Sequence, residues 1–87
     1  MKINDDFIKN EIGDEVVLVP VGEKYQNGIF TLNESAERIY DLLSEGKSRE
    51  EIVAVLCKEY DTKPSQVTAF ADDFMAKLRE FGILTDD

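Results

Sequence analysis

The spacing of apolar residues changes near position 33 and divides the chain into two parts. Residues 7–32 follow a strand-like pattern, and Val16–Val19 is its run richest in β-branched side chains. Gly13-Asp14 and Asn27-Gly28 supply turn residues between the apolar runs. Pro20 has no amide donor and is therefore expected at a strand end or a sheet edge. We predict three antiparallel strands, at about residues 7–12, 16–19 and 29–32.

A helical period begins after Asn33, which can cap the first helix through its side-chain oxygen. Gly46 ends that helix, and Ser48 with Glu51 forms a capping box at the start of the second. A third helix begins near Pro64 and stops at Gly82. The chain is therefore expected to be one α+β domain, residues 1–87, with a three-stranded antiparallel sheet (about 7–32) followed by three helices (about 34–82).

The third helix carries an apolar face wider than a one-sided helix needs. On a helical wheel it spans roughly 140°, against about 100° for an ordinary stripe. Its members are Val67, Phe70, Ala71, Phe74, Met75, Leu78 and Phe81. All seven could belong to the core, or one border could stay open beside the sheet. Exposed aromatic side chains next to an unpaired strand edge would suit an extended peptide.

Charge and length limit the classes of function. Nineteen acidic residues against ten basic ones give a net charge of −9, spread along the whole chain. Such a surface on balance repels nucleic acids and anionic membranes. At 87 residues, a pocket able to enclose a substrate would consume most of the core. No membrane-spanning run or signal peptide is evident, so we expect a cytoplasmic domain.

Candidate catalytic and metal-binding chemistry is sparse. The sequence has no histidine, which excludes imidazole-based zinc, haem and nucleophile arrangements. Cys57 falls among apolar positions of the second helix and fits a small buried hydrophobe. The acidic pairs Glu50-Glu51, Asp72-Asp73 and Asp86-Asp87 are adjacent in sequence, so on a helix their side chains diverge. We predict a protein that is not an enzyme and that needs no cofactor or metal.

Two other classes stay open at this point. An acyl or peptidyl carrier protein is also small and acidic, with Ser35 as its modified residue, but carriers lack the strand-like first third. A winged-helix DNA-binding regulator would share the three helices and a hairpin. Its recognition helix is normally basic, whereas the third helix here carries only Lys77 and Arg79 as cations.

An ordered set of residues resembles the PqqD-like family over about residues 16–84. It begins with Gly28-Ile29-Phe30-Thr31-Leu32-Asn33-Glu34-Ser35-Ala36, followed by Ile39, Leu42-Leu43 and Gly46. It continues with Ser48-Arg49-Glu50-Glu51-Ile52, Leu56, Tyr60, Phe74, Leu78 and Gly82-Ile83-Leu84. The spacing of the whole set, more than any single piece, carries the likeness.

The resemblance implies a winged-helix-like recognition element for ribosomally synthesised and post-translationally modified peptides. Such domains bind the leader of a precursor peptide as an added strand and serve a modifying enzyme such as a radical SAM protein, a cyclodehydratase or a leader peptidase. The matching peptide-binding residues here are Gly28, Ile29, Phe30, Thr31, Leu32, Phe70, Phe74, Lys77, Leu78 and Phe81. Phe70 departs from the family pattern, because many relatives carry an acidic residue there.

Two expectations follow for the edge formed by Gly28–Leu32. Lys77 could pair with an acidic residue of the leader, although a solvated flank is its simpler role. An exposed strand edge also invites self-pairing, so a homodimer through this edge is an alternative use of the same surface. The precursor peptide and the enzyme served are not specified by the sequence.

Overall fold

The computed structural model describes residues 2–21 and 30–85. In chain order its strands are β1 (Lys2–Ile3), β2 (Phe7–Ile12), β3 (Glu15–Pro20) and β4 (Phe30–Leu32). The helices α1 (Glu34–Ser44), α2 (Arg49–Tyr60) and α3 (Pro64–Glu80) follow, and β5 (Leu84–Thr85) closes the described chain. The predicted order of three main strands and then three helices, an α+β fold, is confirmed. The turn predicted at 22–28 lies outside the described residues.

The main sheet is antiparallel with the order β2-β3-β4, so β3 is central and β2 and β4 lie at its edges. Asn10 lies opposite Val17, and Val17 in turn lies opposite Thr31. Pro20 is the last residue of β3, as its missing amide donor led us to expect. Side chains of alternate residues face the helices, which cover one side of this sheet.

A second sheet, which the sequence did not predict, is formed by β1 and β5. β1 and β5 pair antiparallel, with Ile3 opposite Leu84. The Asn4 side-chain Nδ2 donates to the Gly82 carbonyl at 3.0 Å and ties the N-terminal segment to the end of α3. These strands have two residues each, which is too short for an alternating pattern to be visible in the sequence.

The predicted helix boundaries follow from local side-chain chemistry. The Asn33 side chain accepts from the Ala36 amide at 2.8 Å at the start of α1. Ser48 and Glu51 form the complete capping box at the start of α2. Gly82 adopts a φ of 76°, and the following amide, of Ile83, donates to the Leu78 carbonyl at 2.8 Å. This left-handed stop after α3 requires a residue that tolerates positive φ.

The core lies between the inner face of the main sheet and the three helices. Leu18 of β3 and Leu32 of β4 pack with the inward faces of the helices, where Ile39, Ile52 and Leu78 are fully buried. In α3 the apolar arc is only partly core. Five of its seven members, Val67, Ala71, Phe74, Met75 and Leu78, are buried. Phe81 is half-buried, and Phe70 remains 39% exposed at the border.

Candidate functional site

Within residues 2–21 and 30–85 no strand pairs with the outer edge of β4, and the alternation of the ladder shows which backbone groups face outward there. The Val21 amide donates to the Asp6 carbonyl at 2.6 Å, which makes this opposite pair a hydrogen-bonded one. Hydrogen-bonded and non-hydrogen-bonded pairs alternate in an antiparallel ladder. The backbone N–H and C=O of Val17 therefore bond towards β2, and those of Val16 and Leu18 bond towards β4. The N–H and C=O of Thr31 therefore point away from the sheet.

A cleft of about 180 Å³ runs between this edge and α3. Phe30, Thr31, Asn33 and Ala36 line it from β4 and the start of α1. On the opposite wall α3 contributes Phe70, Asp73, Phe74 and Lys77, which are spaced three and four residues apart on one helical face. The cleft thus places a row of backbone hydrogen-bonding groups beside an apolar helix wall.

Aromatic rings form the floor of the cleft. The Phe30 ring lies 6.0 Å from that of Phe74, and it meets the Phe81 ring edge-on at 5.0 Å between centroids. Phe70 stacks on Phe74 at 6.5 Å with an interplanar angle of 8°. Because Phe74 is buried and Phe70 is not, the stack extends from the core to the solvent. An apolar guest side chain could be covered there without rearrangement of the wall.

Lys77, which lines the cleft, is paired with a carboxylate on the surface of α3. Lys77 lies 3.3 Å from the Asp73 carboxylate, one helical turn away, and both side chains are well exposed. Exposed pairs of this kind contribute little free energy, so a carboxylate on a guest could replace Asp73 as the partner of Lys77. On the far side of α3, Arg49 of α2 holds the pKa of Asp72 below its usual value by a side-chain hydrogen bond.

A second, larger pocket of about 290 Å³ adjoins the cleft. It is lined by Ser35, Leu56, Tyr60, Thr62, Gln66, Val67 and Phe70. Phe70 lines both cavities and so forms the ridge between them. Tyr60, which is 42% exposed, lines this pocket and not the cleft. Along α3 the pocket is lined by Gln66, Val67 and Phe70, and the cleft continues from Phe70 to Lys77.

The structure brings together five of the ten residues that the sequence resemblance marked, and these are Phe30, Thr31, Phe70, Phe74 and Lys77. Leu32 is 4% exposed and does not line the cleft, and its backbone pairs with Val16 of β3. Leu78 is fully buried in the core and does not line the cleft, so its contact with a peptide stays a prediction. Phe81 supports Phe30 from behind and does not line the cleft. Gly28 and Ile29 lie outside the described residues.

Three residues of the cleft, namely Asn33, Ala36 and Asp73, were not predicted from the sequence. Asn33 and Ala36 had been assigned only to the capping and packing of α1. Asp73 could have been found, because it lies four residues before Lys77 on the same helical face. The second pocket is formed by segments distant in sequence, and no local pattern marks it.

The described residues contain no group of three or more side chains able to hold a metal ion. No helix in residues 2–21 and 30–85 has the length and apolar character that crossing a membrane requires. Cys57 is half-buried on α2 and packs against the core, in keeping with its expected role.

Comparisons with known proteins agree on one family. The family model for "Coenzyme PQQ synthesis protein D (PqqD)" matches residues 15–84. The solved structure "TbiB1 in Complex with the TbiA(beta) Leader Peptide" has 38% sequence identity and a TM-score of 0.83, and the alignment covers 100% of this chain and 98% of that one. Among curated proteins, no sequence matches. The match over most of the chain, together with the shared fold, shows that this chain belongs to the PqqD family.

Proposed function

We propose that this domain binds the leader segment of a ribosomally synthesised precursor peptide and presents it to a modifying enzyme. The observation that carries the proposal is the outward-facing backbone of Thr31 beside the exposed Phe70 ring, across a cleft of about 180 Å³. The 38% identical TbiB1 was solved with a leader peptide bound, which supports the same ligand class here. The domain itself supplies recognition and no catalytic group.

The peptide is proposed to add as a strand to the edge of β4. Strand addition obtains affinity from main-chain hydrogen bonds and specificity from pockets for alternate side chains. A guest residue opposite Thr31 exchanges hydrogen bonds with its N–H and C=O. Guest side chains on the inner face then meet Phe70 and Phe74, while those on the other face remain towards solvent.

Burial at the aromatic wall sets the scale of affinity. One fully buried apolar anchor contributes roughly 1.5–3 kcal/mol before the cost of ordering the peptide. A single anchor therefore gives weak binding. A peptide that also fills the pocket between Tyr60 and Phe70 would have a second anchor, and its affinity would rise accordingly.

The enzyme served is proposed to be a peptide-modifying enzyme such as a radical SAM protein, a cyclodehydratase or a leader peptidase. In the described residues β4 lies at a sheet edge with no strand beyond it, so an enzyme can approach the guest from that side. A cytoplasmic site of action is part of the same proposal.

The proposal is tested by calorimetric titration of the full chain with two peptides. One is the TbiA(beta) leader peptide, and the other is the N-terminal segment of any short precursor encoded beside the gene. A scrambled peptide of the same composition is the control. Saturable 1:1 binding of a leader, absent for the scrambled peptide, is expected. Binding of the scrambled peptide as tightly as a leader, or no binding of either leader, would contradict the proposal.

A further inference from the structure

Strand β2, at the edge of the main sheet opposite β4, carries a self-complementary sequence. The last five residues of β2, Ile8-Lys9-Asn10-Glu11-Ile12, read apolar, cation, polar, anion, apolar around Asn10. All five are exposed, with Ile8 at 56% and Ile12 at 55%. In the described part of the chain β2 pairs only with β3, so its other side is an open edge.

The residues of β2 whose backbone N–H and C=O groups face outward can be identified from the ladder. Because Asp6 and Val21 form a hydrogen-bonded pair, the even-numbered residues of β2 bond towards β3. The N–H and C=O of Lys9 and Glu11 consequently point away from the sheet. These are the two charged residues of the self-complementary sequence.

From this arrangement we propose that two copies of the chain associate through β2, antiparallel and centred on Asn10. In this register Lys9 of each copy lies opposite Glu11 of the other, and the two pairs exchange four main-chain hydrogen bonds. On the outer face of the sheet Ile8 lies opposite the second copy's Ile12. Opposite charges and apolar pairs placed directly across strands are both stabilising.

Neighbouring registers are disfavoured by the same residues. A two-residue change in the residue paired with each position keeps outward-facing N–H and C=O groups opposite one another. It places Lys9 of one copy opposite Lys9 of the other, or Glu11 opposite Glu11. Like charges directly opposite one another destabilise a strand pair. The shift also separates Ile8 from Ile12, so charge and apolar contact select the same register.

The ion pairs that Lys9 makes within one copy are compatible with its proposed pairing to Glu11 of the second copy. The Lys9 ammonium lies 3.0 Å from the Glu37 carboxylate and 2.8 Å from that of Asp41, both on α1. These contacts use two of its three donors, which leaves a third for Glu11 of the second copy. Within residues 2–21 and 30–85, Glu11 has no ion-pair partner of its own.

The resulting dimer would have a continuous sheet of six main strands with a β4 edge at each end. The two clefts would then stay open, and two guest strands would lie about 34 Å apart at seven strand spacings. This inference does not depend on leader binding. A contact of one short strand buries little area, so the association is weak and is best measured at high protein concentration.

Charge reversal tests the pairing by sedimentation of the full chain over a concentration series. Glu11→Lys places Lys9 opposite a lysine, and Lys9→Glu places a glutamate opposite Glu11, so each variant alone should have a dimer dissociation constant raised about tenfold or more. An equimolar mixture restores both opposite-charge pairs and should recover the association. Glu15→Lys, the same charge change on β3, is the control and should behave as the parent chain. Circular dichroism establishes that each variant is folded.

A cross-link tests the register. In the proposed dimer, residue 10 of one copy lies opposite residue 10 of the other in a non-hydrogen-bonded pair. The Cα atoms of such a pair lie about 4.5 Å apart, so a disulfide can form between cysteines there. Asn10→Cys combined with Cys57→Ser should therefore become a covalent dimer under mild oxidation, whereas Glu15→Cys in the same background should not. A chain that stays monomeric at millimolar concentration and does not cross-link through residue 10 would overturn the proposal. Self-association that persists in Glu11→Lys but is lost on Thr31→Pro would overturn it in favour of the β4 edge.

Discussion

Phe70 lies flat against Phe74, with ring centroids 6.5 Å apart and planes within 8° of parallel, yet one ring is buried and the other is 39% exposed. The pair connects the core of the domain to its surface at the wall of the cleft. The two rings already pack beside each other in the free domain, so the exposed aromatic surface is present in the cleft before a ligand arrives. Preorganisation of this kind lowers the cost of binding.

Phe70→Glu should weaken leader binding while the fold is retained. The substitution removes an apolar surface that a guest side chain covers and places a charge in the cleft, so the dissociation constant should rise about tenfold or more. The measurement is calorimetric titration, with Ala69→Glu as control, because Ala69 is an exposed α3 residue outside both cavities. Unfolding of Phe70→Glu would show that the ring belongs to the core, and unchanged affinity would exclude it from the site.

Thr31→Pro tests the backbone template. Proline removes the outward N–H and leaves the pairs of Phe30 and Leu32 with β3 in place, as proline does on sheet edges. Leader binding should fall strongly, whereas Thr31→Val, which keeps the amide, should bind nearly as the parent. If both variants bind alike, the peptide does not pair with β4.

Lys77→Glu tests the charge at the cleft. If an acidic leader residue takes the place of Asp73 beside Lys77, the variant should bind several-fold more weakly, and the difference should shrink at high salt. Lys63→Glu makes the same charge change at the exposed N-terminus of α3, away from the cleft. Equal losses for the two variants would show that only overall charge matters.

Acidification should lower stability through three surface carboxylates. Hydrogen bonds from Ser48 lower the pKa of Glu51 below its ordinary 4.5, and side-chain hydrogen bonds from arginine lower the pKa of Glu59 and Asp72 in the same way. A group with a lowered folded-state pKa stabilises the fold above its unfolded pKa and loses that contribution as the pH falls through the folded value. Chemical unfolding at pH 7 and below pH 4.5 should show the loss, and Glu51→Gln should reduce its size. A pH dependence unchanged by this variant would contradict the assignment.

The sequence predicted those parts of the fold that depend on local chemistry. The Asn33 cap, the Ser48–Glu51 box and the stop at Gly82 each act within one helical turn, so the residues alone place the helix ends. β1 and β5 were missed because two-residue strands owe their existence to partners distant in the chain. The local sequence around them carries no such information.

The candidate site was only partly predictable for a related reason. A helical wheel identifies the apolar arc of α3, but it cannot decide which border faces the core. Leu78 and Phe70 both belong to that arc, yet Leu78 is fully buried and Phe70 is 39% exposed. The pocket beside Tyr60 joins α1, α2 and α3, so it became visible only in the folded chain.

Hydrogen exchange of the Thr31 amide is the most direct test of strand addition at β4. Its N–H points away from β3 in the unliganded domain and should exchange quickly. A saturating leader peptide should slow its exchange markedly, while the outward amides of Lys9 and Glu11 on the opposite edge should not change. Binding of a leader with Thr31 still exchanging as fast as before would contradict the account.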